Sequence, residues 1–186
     1  MPLGAHGRRA GELEVSATLC SLASCILLLP VIHSLYPSSL LSNQASNGYL
    51  PSTGLLPARQ AIASTVTLPD CEVTEDDVII ASGCSGALEL AITVLMNEGD
   101  NILVPCPGFP LYQVIAESLG GSVKHYNLLP ETGWECDLAH MESLVDEHTR
   151  AIVLTNPSNP CGSNYSADHL AGVAAVARSV SQTAVS

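Results

Sequence analysis

This 186-residue chain holds one lysine, one phenylalanine and one tryptophan, and aromatic residues make up 4% of it. Lysine and arginine together number six against eighteen acidic residues, a formal charge of −12. No basic face is available to neutralise successive phosphates, which excludes nucleic acid as a partner. No CxxC pair occurs among the seven cysteines, which are odd in number and scattered, so neither a disulfide framework nor a zinc site is indicated. No two of the six histidines stand four residues apart, and no metal is expected. The longest apolar run, residues 17–32, is broken by Pro30 and is shorter than the roughly 20 residues that span a bilayer. What remains is a chain that is 47% hydrophobic, enough for one folded domain with a core, which takes small molecules or proteins as partners.

The first 46 residues differ from the rest. Arg8 and Arg9 precede the 17–32 run, which resembles a signal or anchor. Glu12, Glu14 and the lack of a small-x-small cleavage site favour instead an atypical, poorly ordered segment of a cytoplasmic protein. From residue 78 onward the pattern is regular. Residues 78–81 (Val-Ile-Ile-Ala) are a short apolar run, and Leu88, Ala91, Ile92 and Leu95 recur at helical spacing. Strands over 102–104, 122–128 and 151–155 then alternate with helices over 111–119, 137–145 and 166–177. Gly120 and Gly121 stop the second of these four helices, and Asp137 is placed to cap the third. This alternation predicts an α/β fold of three layers, with a mostly parallel sheet covered on both faces.

Chemistry concentrates in the loops that follow the apolar runs, where open α/β sheets bind ligands. Ser82-Gly83-Cys84-Ser85-Gly86 leads into a helix and exposes backbone N–H groups and a hydroxyl at its positive end, a setting for phosphate. A plain strand-to-helix turn with a serine cap explains the same residues. Phe109, between Pro107-Gly108 and Pro110, is either a plate for a flat ligand or a plug beneath its loop, with Tyr112 packing beside it. Asn156-Pro157-Ser158-Asn159-Pro160-Cys161-Gly162-Ser163 holds two amides between rigid prolines, each of which fixes its own φ and restricts the residue before it. An ordinary Pro/Asn turn has the same composition. Tyr49, read locally, is a turn tyrosine packing on Pro51, and Lys124 is an exposed strand lysine.

Taken together with Asn47-Gly48-Tyr49-Leu50-Pro51, Asn101-Ile102-Leu103-Val104-Pro105 and Tyr126-Asn127-Leu128-Leu129-Pro130, these words resemble the fold-type I (class I/II) pyridoxal-phosphate aminotransferases over residues 47–177. The nearest members transaminate tyrosine and other aromatic amino acids with 2-oxoglutarate. The resemblance implies that 47–178 is part of the family's large domain, between the atypical 1–46 segment and a divergent tail at 179–186. It also implies a transferase of amino groups that acts on an amino acid and a 2-oxo acid, with pyridoxal 5′-phosphate as cofactor. Gly83, Cys84 and Ser85 would hold the cofactor phosphate, Phe109 would stack on its ring, and Asn159 would bond the ring's phenolic oxygen. Tyr49 would reach the phosphate of the neighbouring subunit, which implies a homodimer.

Catalysis in this family needs a lysine that binds the cofactor covalently and moves a proton. The lone Lys124 precedes the asparagine loop and matches no catalytic position, so no catalytic residue is assigned. The family's pyridinium-partner aspartate and carboxylate-clamping arginine have no counterpart in these residues either. The expectation is a truncated product or incomplete gene model that is inactive alone, with an open sheet edge. A second reading is a non-catalytic partner that pairs with a full-length homologue through the surface carrying Tyr49. A generic nucleotide-binding module is disfavoured, because no acidic residue ends a strand about 20 residues after the glycine turn.

Overall fold

The computed structural model describes residues 48–69 and 71–183. In chain order the elements are α1 (Leu56–Val66), α2 (Gly83–Leu95), β1 (Asn101–Cys106), α3 (Leu111–Ser118), β2 (Ser122–Leu129), β3 (Glu135–Cys136), α4 (Leu138–Ser143), β4 (Thr149–Ile152) and α5 (Ala167–Thr183). Short 3₁₀ turns lie at Glu75–Asp77 and Pro130–Thr132. The sheet runs β3-β2-β1-β4, with β1 parallel to both neighbours and the two-residue β3 antiparallel to β2.

Consecutive apolar residues along β1 point alternately to opposite faces and so supply both sides of the sheet. Ile102 and Val104 pack with Ile92, Met96, Tyr112, Ile115 and Ala116 under α2 and α3. On the opposite face Leu103 packs with Tyr126, Leu128, Cys136, Met141, Val173 and Val176 under α4 and α5. This is the three-layer arrangement expected from the sequence. Helix boundaries agree to within a turn, except that α5 runs on to Thr183, six residues beyond the expected end at 177 and into the segment read as a tail. Asp137 caps α4 as expected, its Oδ1 accepting the His140 N–H at 3.0 Å. Gly120 (φ +77°) ends α3.

Two expectations are overturned. Residues 78–81 form no strand: among the described residues they have no neighbouring strand to pair with, and beyond local turns at Val78 and Ala81 their backbone tie is Ile80 N–H to Thr53 O at 3.0 Å. An apolar run becomes a strand only when a ladder partner lies beside it, and here Ile79 stays 63% exposed. Lys124 is not a free surface lysine. Its Nζ donates to Asp146 Oδ2 at 2.6 Å and to Leu144 O at 2.8 Å, and its side chain is half-buried. Strand alternation places Lys124 on the same face as Leu103 and Tyr126, so its stem lies over the core and only the charge needs a partner.

Asp146 joins three strands at their amino ends. Besides Lys124 of β2, it accepts from Asn101 Nδ2 of β1 at 2.8 Å, lies 3.0 Å from Thr149 Oγ1 of β4, and accepts the His148 N–H at 3.0 Å. Nearby, Arg150 sits at the irregularity in the β1–β4 register, where its Nε donates to Asp100 Oδ1 at 2.9 Å.

At the carboxyl ends the strands part for a covalent reason. The β1–β4 ladder runs through Asn101 N–H to His148 O and Val153 N–H to Leu103 O, so odd-numbered β1 residues face β4. The next donor toward β4 would be residue 105, and Pro105 has none. The Val153 carbonyl it would have met accepts instead from the buried Tyr126 hydroxyl at 2.8 Å. Burial raises the Tyr126 pKa, which keeps this phenol a donor. Tyr126→Phe is therefore expected to leave Val153 O unpaired and to lower stability by about 1.5 kcal/mol, read as a lower urea midpoint at unchanged slope. A midpoint equal to wild type would show that water takes over the phenol's role.

Candidate active site

Three loops carry the residues singled out above. Gly83 opens α2 at φ +72°, with no atom within 4 Å of where a Cβ would stand. Ser82 occupies the N-cap position, yet its side chain makes no capping hydrogen bond, so the serine-cap reading is not what the structure shows. No acidic residue lies in the first turn of α2, and Cys84 and Ser85 are exposed. The positive end of this helix thus faces solvent without a carboxylate.

Phe109 follows β1. It is 40% exposed, and its ring stands edge-on to Tyr112, with centroids 5.8 Å apart at 82°. At this exposure it is no plug beneath its loop. Tyr112 is buried, as the packing reading had it, and its hydroxyl shares a 3.2 Å hydrogen bond with Thr155 Oγ1 just beyond β4.

The asparagine loop is held from within. Asn156 Oδ1 accepts the Tyr165 N–H at 3.1 Å, the Gly162 N–H bonds Ser158 O at 2.7 Å, and the Ser158 N–H bonds Ser163 O at 2.8 Å. Asn156 is thereby committed to the fold. Asn159, at the tip, is exposed and bonds no described residue through its amide. Tyr165 anchors the base; burial pushes its hydroxyl up to about 12 and also raises the Cys136 thiol beside it.

The structure links the Phe109 loop to Thr155, which leads into the asparagine loop, through Tyr112, while α2, which the Gly83–Ser85 turn opens, packs on α3 through Leu88, Ile92 and Met96 at its far end. Tyr49 stands fully in solvent and does not pack on Pro51. A cleft of about 220 Å³, lined by Val104, Cys106, Phe109, Gln113 and His125 among others, lies on the α3 side of β1, and neither Ser85 nor Asn159 lines it. The Tyr112–Thr155 bond was missed by sequence reasoning. Its trace there was a tyrosine three residues after Phe109, on the helix turn facing a threonine at a strand end.

Taken singly, an acid-free helix start, an exposed aromatic ring and an unengaged amide are groups of the kinds that suit a phosphate, a flat ring and a ring oxygen. What the set lacks is an amine: Lys124 is held at the opposite ends of the strands by Asp146 and Leu144.

Three-layer architecture and loop chemistry together define an aminotransferase-type α/β domain, and residues 20–182 match the family described as Aminotransferase class I and II. The chain belongs to that family, whose members depend on pyridoxal phosphate. It is similar to tyrosine aminotransferase from Dictyostelium discoideum (56% identity over 132 residues, 71% of this chain and 32% of the relative). The human tyrosine aminotransferase is 53% identical over 131 residues, covering 70% of this chain and 29% of the relative. The solved tyrosine aminotransferase from Leishmania infantum superposes with a TM-score of 0.69 at 36% identity, over 86% of this chain and 42% of that one. The chain thus spans under a third of each of these two curated relatives. No helix among the described residues is long and apolar enough to cross a membrane, and the 17–32 run lies outside them.

Proposed function

We propose that this chain, with 47–178 as part of a large domain, forms the phosphate-binding and ring-facing side of a pyridoxal-phosphate site for amino-group transfer between an aromatic amino acid and a 2-oxo acid. What supports this reading is an acid-free start to α2 with no side-chain cap, a Phe109 ring that is 40% exposed and an exposed Asn159, in a chain 56% identical over 132 residues to a tyrosine aminotransferase. The backbone at Gly83 and Cys84, with the Ser85 hydroxyl, binds the phosphate, the Gly83 N–H exchanging Ala81 O, which it bonds at 3.0 Å, for a phosphate oxygen. Phe109 stacks on the ring and excludes water from one face, and Asn159 orients the ring through its phenolic oxygen. When bound, the cofactor supplies the electron sink for amino transfer. The Tyr49 side chain, which lies in solvent, reaches toward the phosphate of a second subunit in a homodimer, and the protein works in the cytoplasm.

The 186-residue polypeptide is expected to bind pyridoxal phosphate reversibly and to transfer no amino group, because its lone lysine is committed to an ion pair at the opposite ends of the strands. Absorbance titration of the purified chain measures the first. Ser85→Ala is expected to weaken binding of the phosphorylated cofactor several-fold, the effect of removing one charge-assisted hydrogen bond, while affinity for pyridoxal itself holds. Equal affinity of the native chain for the two forms would remove the phosphate site. Borohydride reduction is expected to leave Lys124 unmodified, and tyrosine-dependent glutamate formation from 2-oxoglutarate to be absent; either signal overturns the inactive reading. The exposure of Tyr49 also supports a second reading, a non-catalytic chain pairing with a full-length homologue, which co-purification from co-expressing cells tests directly.

A further inference from the structure

Tyr112 touches both Phe109 and Thr155, the residue that leads into the asparagine loop, and because these loops are read as facing the ring, this inference rests on the reading above. Its ring meets that of Phe109 in a T-shaped contact, and its hydroxyl meets Thr155 Oγ1 across 43 residues of sequence. Both partners are buried, Tyr112 at 4% and Thr155 at 8% exposure. Phenylalanine and valine would fill the same space without the desolvation that two buried hydroxyls entail, so packing alone does not call for this pair. Thr155 is followed directly by Asn156, whose Oδ1 holds the Tyr165 N–H and closes the loop that carries Asn159. A path of contacts and chain therefore runs from the aromatic ring to the base of the loop that carries Asn159.

We propose that Tyr112 and Thr155 are positioning residues, a hydroxyl latch that fixes the tilt of Phe109 relative to Asn159 so that both meet one ring. The latch acts through its neighbours and touches no ligand itself. With it intact, the Phe109 and Asn159 loops open together; with either hydroxyl gone, they open separately.

Hydrogen exchange on the full 186-residue chain tests this without cofactor. The reporters are the Ser158 and Gly162 amides, bonded inside the asparagine loop, and the Val153 amide, bonded in the sheet, is the reference. Tyr112→Phe and Thr155→Val are each expected to speed exchange at Ser158 and Gly162 roughly five-fold, the factor for one ordinary hydrogen bond, with Val153 unchanged. The double variant should match either single one, since both remove the same bond, and Thr155→Ser should restore native rates. Unchanged rates at Ser158 and Gly162, a uniform acceleration that includes Val153, or additive effects in the double variant would each overturn the latch. In a parallel titration the two single variants should lose affinity for pyridoxal phosphate by the same factor. If the native chain takes up no cofactor, the proposed function fails while the exchange result still decides the latch.

Discussion

Gly108→Ala is expected to lose about 3 kcal/mol of stability and roughly ten-fold in affinity for pyridoxal phosphate. A Cβ at this position would stand 2.3 Å from Pro105 O and 3.1 Å from Pro105 Cγ. The nearer obstacle is backbone at the end of a buried central strand, not a side chain that can swing away. The loop must therefore lift, and Phe109 is the next residue along it. Gly83→Ala offers the contrast. Its Cβ meets nothing within 4 Å, so the cost is the left-handed backbone alone, about 1 kcal/mol. Urea unfolding and absorbance titration of the two variants side by side check both numbers. A Gly108→Ala chain as stable as Gly83→Ala would show that the loop has slack the geometry does not provide.

The second large effect concerns the opposite end of the sheet. Asp146→Ala removes the acceptor shared by Lys124, Asn101 and the His148 N–H, and leaves Lys124 only the Leu144 carbonyl. The carboxylate side chain is 41% exposed, so water screens the pair, and about 2 kcal/mol is expected rather than the larger loss of a fully buried charge. The pH dependence has a definite sign. Lys124, and after it Asn101, hold the Asp146 carboxyl well below the usual carboxylate range. A carboxyl depressed in the folded state contributes stability that is complete above its unfolded pKa, about 4, and is lost as pH falls toward the lower folded value. The difference in urea midpoint between native protein and Asp146→Asn should accordingly hold from pH 7 to about pH 5 and shrink below pH 4. A gap that stays constant down to pH 2 would mean the carboxylate's charge is not what stabilises the junction.

Both effects sit where sequence reading was weakest. The alternation of apolar runs was enough to place β1, β2, β4 and their helices, because each buries a periodic face that local sequence records. The Asp137 cap was legible for the same reason, its partner lying three residues away. Residues 78–81 carry an equally strong apolar signal, yet a strand is a pairing, and no local residue reports whether a neighbour exists. Lys124 was misjudged because its acceptor is 22 residues distant, although its place on the face of Leu103 and Tyr126 was implicit in the strand period. For the site, individual residues were readable as motif words. How they are held was not, since Tyr112 to Thr155 and Asn156 to Tyr165 are contacts that only the folded chain assembles.

Where β1 and β4 separate, the fork is written into an imino acid. Because Pro105 withholds a proton that any other residue would offer, the tines cannot zip further, and Tyr126 stoppers the one carbonyl left over. The opening between the two strands is thus set by backbone chemistry, and exchanging that single ring for valine is expected to lengthen the β1–β4 ladder by one hydrogen bond, from the residue 105 N–H to Val153 O.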